Sequence, residues 1–244
     1  MALNLTLDQG NSSTKVALWN KQGDLVGIES HIILNARDIA HLAYGQDIDG
    51  AIFCSVSRRP GAMMRALERR AARVIEFSAN TPIPLTVDYK TPNTLGLDRL
   101  AAAVGAYDLI SQYGPHELLV VDMGTAITYD RVTADRHYKG GNIAPGIFMR
   151  LKALNHYTAR LPLVDPKSKD VPLWGNDTHS ALLAGAVRGV VAELEYYHLH
   201  TGPDAKVVLT GGYADLVAPL LSFNTLIEPN LVSWGLNKII EYNT

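Results

Sequence analysis

The tripeptide Asp-x-Gly closes an apolar strand pattern twice, as Asp8-Gln9-Gly10 and as Asp122-Met123-Gly124. A carboxylate at the end of a buried strand is unfavourable unless something pairs with it, so this repetition constrains the chain more than any other feature. Leu3 to Leu7 alternates as a strand should, Gln9 to Ser12 is turn chemistry, and Thr14 to Trp19 and Leu25 to Ile28 resume the extended pattern around a second turn at Asn20 to Asp24. The second half opens the same way. Leu118 to Val121 is an apolar strand, Ile127 to Val132 a second, and Tyr138 to Ile143 a third beyond the turn at Ala134 to Arg136. Strand-then-helix patterns follow both meanders. The first has a short helix at Asp38 to Tyr44, a strand at Gly50 to Val56 and a helix at Pro60 to Val74; the second has a strand at Lys206 to Leu209, the turn Thr210-Gly211-Gly212 and a helix at Tyr213 to Leu221 interrupted by Pro219. This is α/β order in two similar halves. The break Tyr113-Gly114-Pro115, after a long helix from Asp98 to Gln112, divides the chain into domains 1–114 and 115–244. Halves of this kind facing each other leave a cleft, where ligand sites concentrate.

Composition narrows the function. The 244 residues suffice for one large domain or two compact ones, and 47% hydrophobic content excludes a disordered chain. A net charge of −2 gives no reason to expect a nucleic-acid partner. Arg65, Arg69, Arg70 and Arg73 are interspersed with Glu68 and Glu76 and read as a solvated helix face. Cys54 is the single cysteine, so no internal disulfide forms. The N-terminal residues lack a basic and apolar leader, and the longest apolar run, Ala181 to Leu194, is broken by Arg188. No membrane association and a cytoplasmic location are the resulting expectations.

Three segments carry chemistry. In Asp8-Gln9-Gly10-Asn11-Ser12-Ser13-Thr14-Lys15, the carboxylate suits a hydrated metal ion and Gly10 lets backbone approach a ligand. The N–H groups of the turn, with Asn11, Ser12 and Ser13, suit phosphate oxygens, and Lys15 adds positive charge. An Asx turn capped by Asp8 is the plainer reading of the same residues. The second turn, Asp122-Met123-Gly124-Thr125-Ala126, repeats the carboxylate, the glycine and a hydroxyl, and two such hairpins can clamp a polyphosphate; there is no P-loop and no dinucleotide fingerprint. Gly96-Leu97-Asp98-Arg99 precedes an Ala-rich helix. Asp98 is either an N-cap or a first-turn residue favoured by the helix dipole, and with its neighbours it forms a compact site able to accept a hydroxyl proton and bind a carboxylate. Tyr89 can line the same pocket. Gly140-Gly141-Asn142-Ile143-Ala144-Pro145-Gly146 either admits a base or ribose close to backbone or is a strand-to-helix turn. His198-Leu199-His200 lacks a third ligand and is not a zinc site.

These motifs, in this order over essentially the whole chain, resemble type III pantothenate kinases of the acetate and sugar kinase/Hsc70/actin superfamily. The resemblance rests on Asp8-x-Gly10-Asn11-Ser12-x-x-Lys15, Gly96-x-Asp98-Arg99, Asp122-x-Gly124-Thr125-Ala126 and Gly140-Gly141-x-Ile143-x-Pro145-Gly146. It implies two actin-like (ribonuclease H-like) domains, each with a mixed sheet, and ATP-dependent phosphorylation of pantothenate. It also implies that Asp8 to Lys15 binds the ATP phosphates, with Asp8 near Mg2+, and that Asp98 accepts the proton. Tyr89, Gly96, Leu97, Arg99 and Thr178 would line the pantothenate site. Asp122 would hold a monovalent cation, K+ or NH4+, and Thr125 would contact ATP. The family is dimeric, with the partner subunit completing the pantothenate pocket. Ser12 stands where threonine is commoner, and Leu97 where a small residue is usual. The alternatives are another small-molecule kinase or phosphatase of the superfamily, acting on acetate, a sugar or polyphosphate, and a non-catalytic ligand-sensing regulator.

Overall fold

The computed structural model describes residues 3–10, 13–34, 38–40, 46–55, 61–166 and 170–244. They form two compact units, one of Met1–Gln112 with Asn230–Thr244 and one of Tyr113–Pro229. The change of unit near residue 113 coincides with the Tyr113-Gly114-Pro115 break. The last fifteen residues, grouped by sequence with 115–244, have their contacts in the first unit.

The first unit is a five-stranded mixed sheet in the order β3-β2-β1-β4-β5. Strands β1 (Leu3–Gln9), β2 (Thr14–Trp19) and β3 (Leu25–His31) form the antiparallel meander, and β4 (Ile48–Ser55) and β5 (Ala71–Glu76) add in parallel beyond β1. Leu5, Leu7, Val16, Leu18, Ala51 and Phe53 bury the sheet against Met63 and Leu67 of α1 (Gly61–Glu68). The helix expected over Pro60 to Val74 is therefore shorter. It ends at Glu68, turns at Arg69-Arg70, and gives way to β5, whose backbone pairs with β4 from Ile48↔Ala71 to Phe53↔Glu76. The arginines consequently do not share a helix face. Only Arg65 lies on α1, and Arg73 lies on β5. Of the short helix, Asp38–Ala40 is a 3-10 turn, and the expected continuation over residues 41–44 lies outside the described residues, as does Val56. A two-residue strand, β6, is Thr86–Val87.

Two helices pack on one another in this unit: α2 (Leu97–Ser111) and the C-terminal α6 (Leu231–Tyr242). A Cβ on Gly235 would lie 1.8 Å from the Ala101 carbonyl oxygen, and one on Gly105 would lie 2.5 Å from that of Leu231. Backbone thus meets backbone, which only glycine permits. Side-chain contacts fasten the two helices to each other and to the sheet. Trp234 Nε1 donates to Asp108 at 2.9 Å, Asn4 Nδ2 donates to Asn237 Oδ1 at 2.9 Å, and Trp234 packs edge-on against Trp19. Burial disfavours the Lys238 ammonium, but its bond to Glu241 and the charge of Asp108 outweigh that and raise its pKa.

In the second unit the strands run in the order β11-β10-β7-β8-β9. The meander is β7 (Leu118–Met123), β8 (Ala126–Val132) and β9 (His137–Pro145); β10 (Lys206–Thr210) and β11 (Thr225–Ile227) extend it in parallel from β7. This is the connectivity of β1 to β5 over again, so both sheets are mixed. Helices α3 (Ile147–Tyr157) and α4 (Thr178–Thr201) supply Ile147, Leu151, Leu183, Val187, Val190 and Leu194 to the core against Val121, Met123, Ile127 and Leu209. Asp177 caps α4. Its side chain accepts from the Ser180 N–H at 2.9 Å, and the Ser180 hydroxyl accepts from the Asp177 N–H. Pro219 confines α5 to Ala214–Val217, and a 3-10 turn at Ala218–Leu220 follows. His198 and His200 lie on α4; His198 stacks on Phe223 at 3.9 Å, and His200 Nδ1 lies 2.7 Å from the Tyr196 carbonyl oxygen. Among the described residues no helix is long and apolar enough to cross a membrane.

Candidate active site

In the first unit, β1 carries Asp8 and Gln9 to the sheet edge and the Gly10 N–H closes the turn on the Ser13 carbonyl oxygen at 3.0 Å. Lys15 sits opposite Asp8 on β2, and Cys54 lies opposite it on β4. Ser55, one residue on, donates to Gln9 Oε1 at 2.7 Å. Asn11 and Ser12 lie outside the described residues. Thr14 is buried.

Asp98 enters from α2. Gly96 is the N-cap residue without a side-chain cap, which makes Asp98 a first-turn residue rather than the cap. Its Oδ1 accepts the Arg99 N–H at 2.9 Å, and a Cβ on Gly96 would lie 2.5 Å from that same oxygen. Gly96 therefore leaves room for the carboxylate to fold back over the helix start, where the dipole favours an anion. Arg99 is buried beside it and Tyr89 is half-buried.

Cys54, opposite Asp8 on β4, feels both acids. Burial pushes its thiol well above the ordinary value, and the charges of Asp8 and then Asp98 push it the same way. The neutral thiol is thus a floor on which both carboxylates act. Sequence reading takes Cys54 for a core residue, which it is, and Ser55 attracts no notice. A β1–β4 register would have placed both, but register is not written in either strand alone.

The second unit holds Asp122, Thr125 and Thr178. Asp122, one residue before the end of β7, is half-buried, with Thr210 opposite it on β10. Gly124 closes the turn on the Ala126 carbonyl oxygen at 3.1 Å, and Thr125 is exposed at its tip. Two distant glycines brace this turn. A Cβ on Gly146 would lie 2.4 and 2.5 Å from the Thr125 and Gly124 carbonyl oxygens; one on Gly211, whose φ is +87°, would lie 2.6 Å from Asp122 Oδ1. Gly141 is likewise pressed against the Tyr129 carbonyl oxygen, so Gly140-Gly141 serves strand packing within β9, and the strand-to-helix corner is at Gly146. Thr178 is exposed at the start of α4. Among the described residues no three His, Cys, Asp or Glu side chains gather as a metal cage.

Solved structures share this architecture. A chain from Campylobacter jejuni described as a conserved Baf family transcriptional activator superposes with a TM-score of 0.63 at 22% identity, covering 98% of both chains. A ROK family glucokinase from Streptomyces griseus, in complex with glucose and AMPPNP, superposes with a TM-score of 0.55 at 12% identity, covering 99% of both. The protein thus has the fold of the sugar kinases and actin-like ATPases. Sequence narrows the class. The family model of the type III pantothenate kinases matches residues 4–199. A type III pantothenate kinase of Porphyromonas gingivalis is 43% identical with all of both chains covered, and one of Phocaeicola vulgatus is 40% identical with 99% of both covered. The chain belongs to the type III pantothenate kinase family.

Proposed function

We propose that this chain transfers the γ-phosphoryl group of ATP to the primary alcohol of pantothenate, giving 4′-phosphopantothenate and ADP, the first step towards coenzyme A. The observation that carries the reading is the pair of acids held in one unit, Asp8 opposite Lys15 near the end of β1 and Asp98 in the first turn of α2.

Asp98 orients the alcohol and accepts its proton while the alcohol oxygen bonds to the γ-phosphorus and the bond from that phosphorus to the ADP oxygen breaks. The Arg99 N–H fixes the orientation of the Asp98 carboxylate at the start of α2, so that it can take that proton. Because phosphoryl transfer is mainly positioning and charge stabilisation, the remaining residues serve as grips. Gln9, Gly10, Asn11, Ser12, Ser13, Thr14 and Lys15 hold the phosphates through turn N–H groups, hydroxyls and the ammonium, and Thr125 contacts ATP. Tyr89, Gly96, Leu97, Arg99 and Thr178 shape the pantothenate site, with Arg99 directed to the carboxylate.

Mg2+ takes one or two carboxylates together with substrate phosphate oxygens and dispenses with a protein cage, and Asp8, near the end of β1, would hold it. When bound, the ion neutralises developing phosphate charge. Asp122 precedes a turn whose Gly124 and Thr125 carbonyl oxygens pack on Gly146, and a carboxylate with backbone carbonyl oxygens would suit a monovalent cation such as K+ or NH4+.

A second copy of the chain covers the apolar surface of the second unit, where Trp174, Tyr157, Ile143 and Leu173 are largely exposed. A homodimer acting in the cytoplasm, without nucleic-acid or membrane partners, is the resulting picture. The test is ATP turnover against a panel of acceptors. One ADP formed per pantothenate lost is expected. Turnover with acetate or a sugar but not pantothenate would replace the substrate, and ATP binding without turnover would replace the kinase with a regulator.

A further inference from the structure

One cluster in the second unit has no part in the scheme above. Arg150 of α3 donates from Nη2 to both carboxylate oxygens of Glu193 on α4, at 2.7 Å each, and from Nε to the Pro145 carbonyl oxygen at 2.8 Å. The Tyr129 hydroxyl of β8 donates to the same carboxylate at 2.7 Å. Burial, and then the bond to Glu193 and its charge, push the Tyr129 phenol far above its ordinary pKa, so it remains a donor throughout the working range. The Arg150 and Glu193 side chains are 19% and 33% exposed, which protects the pair from the screening that weakens surface ion pairs. Gly189 leaves space for the guanidinium, since a Cβ there would lie 3.3 Å from Nη1.

What Arg150 grips is the β9–α3 corner. Pro145 ends β9 and Gly146 caps α3; the Arg150 N–H itself bonds the Gly146 carbonyl oxygen at 2.9 Å. Gly146 in turn donates its N–H to the Thr125 carbonyl oxygen at 3.1 Å, at the close approach described above. A rigid path therefore runs from Glu193 through Arg150 and Pro145-Gly146 to the tip of the second turn. A helix-pairing salt bridge alone would not need the bond to Pro145.

We infer that Arg150, held by Glu193, is the positioning residue of the Asp122–Thr125 turn and sets its grip on the nucleotide. The inference rests on the reading of that turn as an ATP contact. Arg150→Met is expected to raise the KM for ATP about tenfold while kcat and the KM for pantothenate stay within about twofold. Arg150→Lys, which keeps a charge for Glu193, is expected to recover part of the loss and guards against a variant that fails to fold. Arg131→Gln, which removes the Arg131–Glu117 ion pair of the same unit, is the control and should leave all three constants unchanged. Thr125→Val reports on the turn itself. If it raises the KM for ATP while both Arg150 variants change only the thermal midpoint, the inference is overturned and the turn reading stands. If Thr125→Val leaves the KM for ATP unchanged, the turn reading fails and the inference fails with it.

Discussion

The two Asp-x-Gly turns are alike in sequence and unlike in their surroundings. Around the first, a Cβ on Gly10 would meet, among the described residues, only the Ser13 carbonyl oxygen, at an ordinary 3.5 Å. Around the second, Gly146 and Gly211 bring backbone and carboxylate within distances that no side chain tolerates. Asp8 stands beside a thiol that also feels Asp98, whereas Asp122 is boxed in by a glycine turn. The same local device thus yields one acid whose charge acts on the same thiol as that of Asp98 and another locked into a braced turn. A duplicated motif specifies the strand–turn–strand; the neighbours decide its work.

Asp8→Ala should produce the largest separation between the turns. On the proposed scheme it lowers kcat/KM for MgATP by about 10²–10³, the range for losing one electrostatic grip on a transition state, and raising Mg2+ recovers only part of it. Asp122→Ala should be far milder in saturating Mg2+. Equal losses would erase the distinction.

Packing gives the next contrast. Gly146→Ala forces a methyl against two carbonyl oxygens and is expected to destabilise the fold by about 1–3 kcal/mol, the usual range for overpacking. Gly10→Ala should stay within about 0.5 kcal/mol, as surface changes do. Chemical denaturation of both variants reads the difference, and similar midpoints would contradict the braced-turn account.

Cation choice follows. With Asp122 as the cation ligand, replacing K+ by Na+ at constant ionic strength should lower turnover by about tenfold, a difference of about 1.4 kcal/mol. Asp122→Ala should abolish the preference. Equal rates in the two buffers would remove that role from Asp122.

The smallest effect concerns the α4 cap. The Ser180 N–H and then its hydroxyl hold the Asp177 carboxyl below its ordinary value. A lowered folded pKa means the contribution is present above the unfolded value of about 3.9 and is lost as pH falls through the folded one. Asp177→Ala should therefore lower the thermal midpoint slightly at neutral pH, and the gap to wild type should close in acid. A gap that widened in acid would have the wrong sign.

Much of this was legible in the chain. The alternation flanking Asp8 and Asp122 writes both meanders, and Gly96-Leu97-Asp98-Arg99 writes a helix start with an acid in its first turn. Elements that depend on distant partners were not. Ala71-Ala72-Arg73 continues a helical pattern, and it becomes β5 only because β4 offers a free edge in parallel register. Leu231–Tyr242 looks like the end of the second half, yet Gly235 meets α2 backbone in the first unit. Cys54 and Ser55 take their place beside Asp8 and Gln9 through the β1–β4 pairing, and Arg150 finds Glu193 across two helices. Local pattern conveys the turns and the acids; close approach of remote backbone conveys how they are held.

The most direct test of the account is Asp98→Asn, measured for turnover and for ATP affinity on the same preparation. If Asp98 accepts the pantothenate proton, kcat falls by about 10²–10⁴, the usual worth of a general base, while the Kd for ATP stays within about twofold. A loss of only a few-fold in kcat, with ATP affinity intact, would contradict the assignment.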